Sequence, residues 1–203
     1  MIAAVVLAAG ESSRLGRPKQ LVAHRGRSLI RGAVEAALGG GCSPVIVVLG
    51  AQAEQVRQEI DSLDVRAVVN PGWREGMAGS VRAGIAELEA ASDEVEAVVL
   101  TGCDQPHISA DVLRRLLEAY RGREDATATM AACAYAETLG APALFARAEF
   151  GRLLALDGDR GARDLLRSAA DRVVRIPWPE GARDVDVPED VPGPACGDPD
   201  AAL

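Results

Sequence analysis

The chain has 203 residues, 48% apolar and 26% charged, a globular composition that excludes a disordered or fibrous protein. Its net charge is −8 with no basic block, which argues against nucleic acid as a partner. Aromatics are only 3%, so the core has to be built from Val, Leu, Ile and Ala.

Ile2 to Leu7 is a continuous apolar run, the pattern of a strand buried on both faces of a parallel sheet. A small-residue loop, Leu7 to Lys19, follows at its carboxyl end, where open α/β sheets bind ligands. Ala8, Ala9 and Gly10 keep side chains out of the way, so backbone N–H groups can approach an anion. Arg14 and Lys19 add two cations, and the combination suits a polyphosphate. The loop is not a Walker A motif, because Lys19 is followed by Gln20, and Gly10 and Gly16 do not have G-x-G-x-x-G spacing. Ser28 is a plausible N-cap for a helix to about Leu38, ended by Gly39, Gly40 and Gly41. Pro44 to Leu49 reads as a second strand, Ala53 to Leu63 as an amphipathic helix and Val65 to Val69 as a third strand. This β-α-β-α-β start predicts right-handed crossovers and a largely parallel sheet.

Asn70 to Arg82 is punctuated by Pro71, Gly72 and Gly76 and reads as a loop opening a helix over about Gly79–Glu89. Ser80 falls near that helix start, where free amides favour an anion or polar ligand. Ala97 to Leu100 is a fourth strand, and Asp104 follows just past its end. A carboxylate placed there needs a partner cation, which magnesium with nucleotide phosphates supplies. His24 and His107 have no partner motif and are left aside. A helix is expected over Ser109–Tyr120, a strand over Ala126–Ala134, and a turn at Gly140 running into a strand to Phe145. Phe150 to Leu156 reads as a short helix, and the turn at Asp157–Arg163 opens another to about Ala169. Arg160 and Arg163 beside that helix start would suit an acceptor phosphate. Two short strands, Val173–Ile176 and Ala182–Val187, close the chain. A single domain is expected over 1–191 and a disordered tail over 192–203. Cys42, Cys103, Cys133 and Cys196 form no C-x-x-C pair, which suggests reduced thiols in a cytoplasmic protein, and no stretch approaches the length of a membrane span, so no membrane is expected as a partner.

The loop from Leu7 to Lys19 resembles the signature L-A-A-G-x-S-x-R-[ML]-G-x-x-K of nucleotidyltransferases with a nucleotide-diphospho-sugar transferase type fold. Leu7, Ala8, Ala9, Gly10, Ser12, Arg14, Leu15, Gly16 and Lys19 meet every specified position. The resemblance implies a three-layer α/β/α Rossmann-like fold with a mostly parallel central sheet. It also implies that Leu7, Ala8, Ala9, Gly10, Arg14, Lys19, Gly76, Ser80 and Asp104 bind the nucleotide. Arg14, Lys19 and Asp104 are then the catalytic residues, and Asp104 and Asp186 hold Mg²⁺ or Mn²⁺. Cys103 to Pro106, Gly140 to Leu144, Gly158 to Arg163 and Asp184 to Asp190 resemble segments of the molybdenum cofactor cytidylyltransferases, with Val187 replacing a usual Thr. The implied reaction moves CMP from CTP, or another NTP, to a phosphorylated acceptor, molybdopterin, with a molybdoenzyme as a receiving partner. Ala9, in place of a second Gly, suggests a smaller base than guanine. A guanylyltransferase, a methylerythritol-phosphate cytidylyltransferase and a non-catalytic nucleotide or cofactor chaperone remain alternatives.

Overall fold

A computed structural model describes residues 1–91 and 94–191. The first strand, β1 (Ile2–Ala8), sends alternate side chains into two different cores. Ala4, Val6 and Ala8 enter one, and Ala3 and Val5 enter the other. Both faces are covered, which is why the run holds no polar residue.

A short hairpin, β2 (Ala23–His24) and β3 (Arg27–Ser28), comes next and has no counterpart in the sequence reading. Its turn places Arg25 and Gly26 at φ of 51° and 75°, the conformation a two-residue hairpin needs. Ser28 caps α1 (Leu29–Gly39), accepting from the Arg31 N–H as expected. Then come β4 (Val45–Leu49), α2 (Ala53–Ile60), β5 (Arg66–Val69), α3 (Met77–Ala91), β6 (Ala97–Gly102) and α4 (Ala110–Arg121). The last elements are β7 (Met130–Tyr135), β8 (Thr138–Ala146), α5 (Phe150–Leu154), α6 (Ala162–Ser168) and β9 (Val173–Pro177).

Seven strands form one sheet in the order β5-β4-β1-β6-β8-β7-β9. All neighbours are parallel except the two pairs that involve β8, so β8 alone runs in reverse. α1, α2 and α4 pack on one face of the sheet, and α3, α5 and α6 on the other. The expected three-layer, mostly parallel architecture is therefore present. α3 lies close against β1, because a Cβ on Gly84 would sit 2.5 Å from Val5 Cγ1. Any side chain there would have to push the helix off the sheet.

Several expected boundaries move for local reasons. α3 starts at Met77 rather than Gly79. β7 starts at Met130, because Asp125 Oδ1 accepts from the Thr127 N–H and hydroxyl at 2.8 and 2.7 Å and holds a turn ahead of it. Gly140 lies inside β8, and the reversal is made instead by Ala136 and Glu137 at φ of 46° and 58°. The expected strand over Ala182–Val187 does not form. Its backbone is used elsewhere: Val185 N donates to Asp104 O at 2.8 Å, and Asp186 N and Val187 N both donate to Asp190 Oδ2. Val185 is buried with Leu15, Val22 and Leu29 in a small cluster apart from the sheet. The expected tail, 192–203, lies outside the described residues, as does Cys196; Cys42, Cys103 and Cys133 are free and buried. Among the described residues no helix is long and apolar enough to cross a membrane.

Candidate active site

The ends of the central strands align along one edge of the sheet. Ala8 to Gly10 leave β1, Gly102 to Asp104 leave β6, and Tyr135 and Gly140 come from the antiparallel pair beyond. Together with α3 and α6 they frame a cleft of about 650 Å³. Leu7, Ala9, Gly10, Lys19, Gly76, Ser80, Asp104 and Asp186 all line it. Two expected site residues do not. Ala8 is buried behind the loop, and Arg14 is exposed away from the lining with no ion-pair partner among the described residues.

The loop after β1 is held from beneath. Gln20 is 1% exposed, and its amide donates to Ala8 O at 2.9 Å and Gly10 O at 2.7 Å. Ser12, at φ 60°, accepts from the Lys19 N–H at 3.0 Å. The Ala8 and Gly10 carbonyls are thus turned back to Gln20, while Ala9 and Gly10 line the cleft with little side chain to keep an anion from the backbone. In the sequence Gln20 served only to exclude a Walker A motif; its role as a brace comes from burial and carries no local signal.

Lys19 Nζ lies 2.7 Å from Asp104 Oδ2 and 2.8 Å from Asp186 Oδ1. Burial works against its charge, but the two carboxylates overcome that and hold its pKa above the usual lysine value. Asp184 stands beside this trio. Burial first, then the Asp104 and Asp186 carboxylates, push its pKa up to about 6. Two carboxylates thus share one ammonium, with a third beside them.

Past Asp104, on the α3 side, a second loop is built on Asn70. Its Nδ2 donates to Ser80 Oγ at 3.1 Å, and its Oδ1 accepts from the Gly72 N–H at 3.0 Å. Ser80 is therefore buried in the fourth position of α3 and partnered, not standing as a free cap. Gly76 has φ 115°, and a Cβ there would lie 2.4 Å from Gly158 O, so only glycine fits. Ala78 N donates to the same carbonyl at 3.1 Å, which docks this loop onto the turn before α6. Trp73 lines the cleft under the Arg74 guanidinium, 4.2 Å from the ring centre.

Residues 4–173 match the MobA-like NTP transferase domain. The chain belongs to that family. It is 36% identical over 180 residues to the nicotine blue oxidoreductase of Paenarthrobacter nicotinovorans, covering 82% of this chain and 81% of that one. It also matches bifunctional GlmU proteins but spans only 25% of the one from Caulobacter vibrioides, at 36% identity over 57% of this chain. Among solved structures, Rv0371c of Mycobacterium tuberculosis superposes with a TM-score of 0.79 at 32% identity, over 93% of this chain and 94% of that one. A structure of Rv0371c in complex with manganese gives a TM-score of 0.72 at 30% identity, over 93% and 95% of the two chains.

Carboxylate oxygens around a cation position suit a hard divalent ion. In this MobA-like transferase the shared ammonium and the raised Asp184 pKa mark a deficit of positive charge, which Asp104 and Asp186 fit as ligands. Among the described residues no three acidic, His or Cys side chains are already gathered in ligand geometry, because Lys19 stands between these two.

Beyond Asp104 the cleft continues to residues the sequence had singled out only in part. Gln105 Nε2 donates to Gly181 O at 2.9 Å and to Tyr135 Oη at 3.3 Å. Tyr135 in turn donates to Ala141 O at 3.0 Å. His24 and His107 meet edge to face, 5.9 Å between ring centres, beside a separate cavity of about 260 Å³ that no expected site residue lines. Burial holds both imidazoles below the usual histidine pKa, with Arg25 beside His24 and Arg183 beside His107 adding to it.

Proposed function

We propose that this chain transfers CMP from CTP to the terminal phosphate of molybdopterin and releases pyrophosphate. One observation carries the reading: Lys19, Asp104 and Asp186, from three distant segments, converge within 2.8 Å at the end of the small-residue loop after β1. An acceptor phosphate oxygen attacks the α-phosphorus, a new P–O–P link forms, and the bond to the β-phosphate breaks. The electron pair leaves on pyrophosphate.

The protein's part is positioning and charge neutralisation. The Gly10 region offers N–H groups to the phosphates, and Gln20 keeps that backbone in place. Lys19 swings from its carboxylates to the leaving pyrophosphate. Gly76, Trp73 and Ser80 frame the base and ribose. Mg²⁺ or Mn²⁺, held by Asp104 and Asp186, would neutralise charge at the α-phosphate. The acceptor is already a phosphate monoester and needs no strong general base. Ala9, 6% exposed at the nucleotide end, supports the smaller base, and a molybdoenzyme would receive the product.

The test is incubation with each of the four labelled nucleoside triphosphates and molybdopterin, with pyrophosphate assayed. Release with CTP alone is the expected result. Release with GTP alone would transfer the reading to guanylyl transfer. Release with methylerythritol phosphate as acceptor would transfer it to that cytidylyltransferase. Nucleotide binding without any release would leave a chaperone.

A second reading comes from the Paenarthrobacter relative, whose name is that of an oxidoreductase. Against it, the loop after β1 lacks G-x-G-x-x-G spacing for a dinucleotide. Bleaching of nicotine blue with a nicotinamide cofactor, in the absence of any triphosphate, would favour that reading.

A further inference from the structure

We propose that Arg163, with Tyr135 behind it, is the anion subsite that receives the phosphate monoester of the acceptor. This rests on the nucleotidyl-transfer reading and assigns the other half of the same cleft.

The argument starts from charge. The cleft is lined by five carboxylates, those of Asp104, Asp159, Asp164, Asp184 and Asp186. Among the described residues two cations line it, Lys19 and Arg163. Lys19 is already shared between two carboxylates. Arg163 has no ion-pair partner among the described residues and is exposed to the cleft mouth. A dianionic acceptor entering this acidic cleft has one cation without an ion pair to meet.

Position supports the same assignment. In the sheet order, β6 with Asp104 stands between β1, which carries the nucleotide loop, and the β8–β7 pair. Neighbouring strands are about 4.8 Å apart, so β7 lies roughly 14 Å from β1 along the edge. Arg163 belongs to that far side. Its Nη2 would lie 3.5 Å from a Cβ placed on Gly140, and that same Cβ would strike Tyr135 Oη at 2.2 Å. Only glycine at 140 lets the guanidinium and the phenol face each other. Tyr135 is fixed by Gln105 and by Ala141 O, and its hydroxyl interacts with the Arg163 side chain. Arg163 lines the same cleft as Asp184 and Asp186, so the subsite lies in one cavity with the metal-side carboxylates. An Arg fork suits a phosphate monoester better than an ammonium does, because it offers paired N–H donors.

The test uses calorimetry on the full chain in two arms. First, α,β-methylene-CTP and its GTP counterpart are titrated with Mg²⁺ into wild type and Arg163→Gln. The expected result is equal nucleotide affinity in the two proteins; no binding of either analogue to wild type would sink the transferase reading itself. Second, each protein saturated with the bound analogue is titrated with phenyl phosphate, and with phenol as the uncharged control. Phenyl phosphate should bind wild type, bind Arg163→Gln at least tenfold more weakly, and recover in part in Arg163→Lys. Tyr135→Phe should weaken it less than Arg163→Gln does. Phenyl phosphate that fails to bind the loaded wild type, or binds Arg163→Gln equally well, overturns the subsite, as does an Arg163→Gln protein whose nucleotide affinity falls by the same factor.

Discussion

Lys19 Nζ and Asp104 Oδ2 are 2.7 Å apart across 85 residues of sequence. Two of the three ammonium donors are engaged there. On the proposed function the triphosphate competes for this ammonium, and drawing it off would open the Asp104 and Asp186 carboxylates to a divalent ion. Lys19→Met should therefore bind free Mn²⁺ more tightly than wild type, by about tenfold or 1.4 kcal/mol, and bind CTP more weakly. Electron paramagnetic resonance of free Mn²⁺ measures the first and calorimetry the second. An unchanged Mn²⁺ affinity would mean that these carboxylates do not take the metal.

Asp104→Asn keeps the shape of the side chain and the backbone bond from Val185 N to Asp104 O at 2.8 Å. The fold should survive, by circular dichroism. Turnover at saturating Mg²⁺ should fall by about 10²–10³, the usual cost of one electrostatic group in a polar transition state. Retention of more than about a tenth of kcat would remove Asp104 from the catalytic set.

Gln20 is not expected to touch a ligand, yet its loss should be felt at the loop. Gln20→Leu leaves the Ala8 and Gly10 carbonyls without their donor. Stability should fall by about 1–3 kcal/mol in chemical denaturation. KM for the triphosphate should rise along with it. A destabilised protein with unchanged KM would show that the loop keeps its shape without this brace.

The parts of this molecule that were legible in advance share one property: their signal is local. β1 reads as a buried strand because no residue from Ile2 to Leu7 is polar. Ser28 reads as a cap because a hydroxyl ahead of a helical run reaches an amide three residues on. The convergence of Lys19, Asp104 and Asp186 came from a matched motif, since no spacing in the chain brings positions so far apart together. Arg14 met the same motif and yet stands outside the cleft lining. What escaped was set by tertiary partners. The segment Ala182–Val187 looks extended, but Asp104 O and Asp190 Oδ2 take its amides before a strand can. Gln20, Asn70 and Tyr135 have ordinary sequence neighbours and gain their roles from what the fold places beside them.

Ala9 tests the choice of base. A Cβ built on Gly50 would lie 2.8 Å from both Ala9 Cβ and Trp73 Cβ, so Ala9 packs where the second loop meets the first. Ala9→Gly should widen that end of the cleft and admit GTP in part. One methyl is worth about 1–3 kcal/mol of discrimination, so the CTP:GTP ratio of kcat/KM should drop without inverting. A constant ratio would show that Ala9 does not read the base.

Glu149 supplies the pH test. It is 2% exposed and accepts from Thr129 Oγ1 at 2.6 Å and from Arg152 Nη1 at 2.8 Å. Burial alone would raise its pKa, but these donors and the Arg152 and Arg172 charges hold it below the usual glutamate value. The unfolded chain then takes up the proton first as pH falls. The contribution is complete above the unfolded pKa of about 4.3 and fades as pH drops through the lower folded value. Glu149→Gln should cost about 1.5–3 kcal/mol at pH 7. The gap to wild type should narrow below about pH 4, in urea melts run across pH. A gap that is constant with pH would mean that shape, not charge, is what Glu149 contributes.

The reversal of β8 has a consequence for how this cleft can be altered. A parallel strand needs a long return before it reaches the same edge, whereas β7 and β8 deliver Tyr135 and Gly140 there through a turn of two residues, Ala136 and Glu137. The two walls are therefore mechanically separable. Lengthening that turn would reshape the rim on the Arg163 side, while the pairings of β1 with β4 and β6, which set the Gly10 loop and Asp104, keep their register. One wall can be rebuilt for a differently shaped ligand with the Gly10 loop and Asp104 left standing.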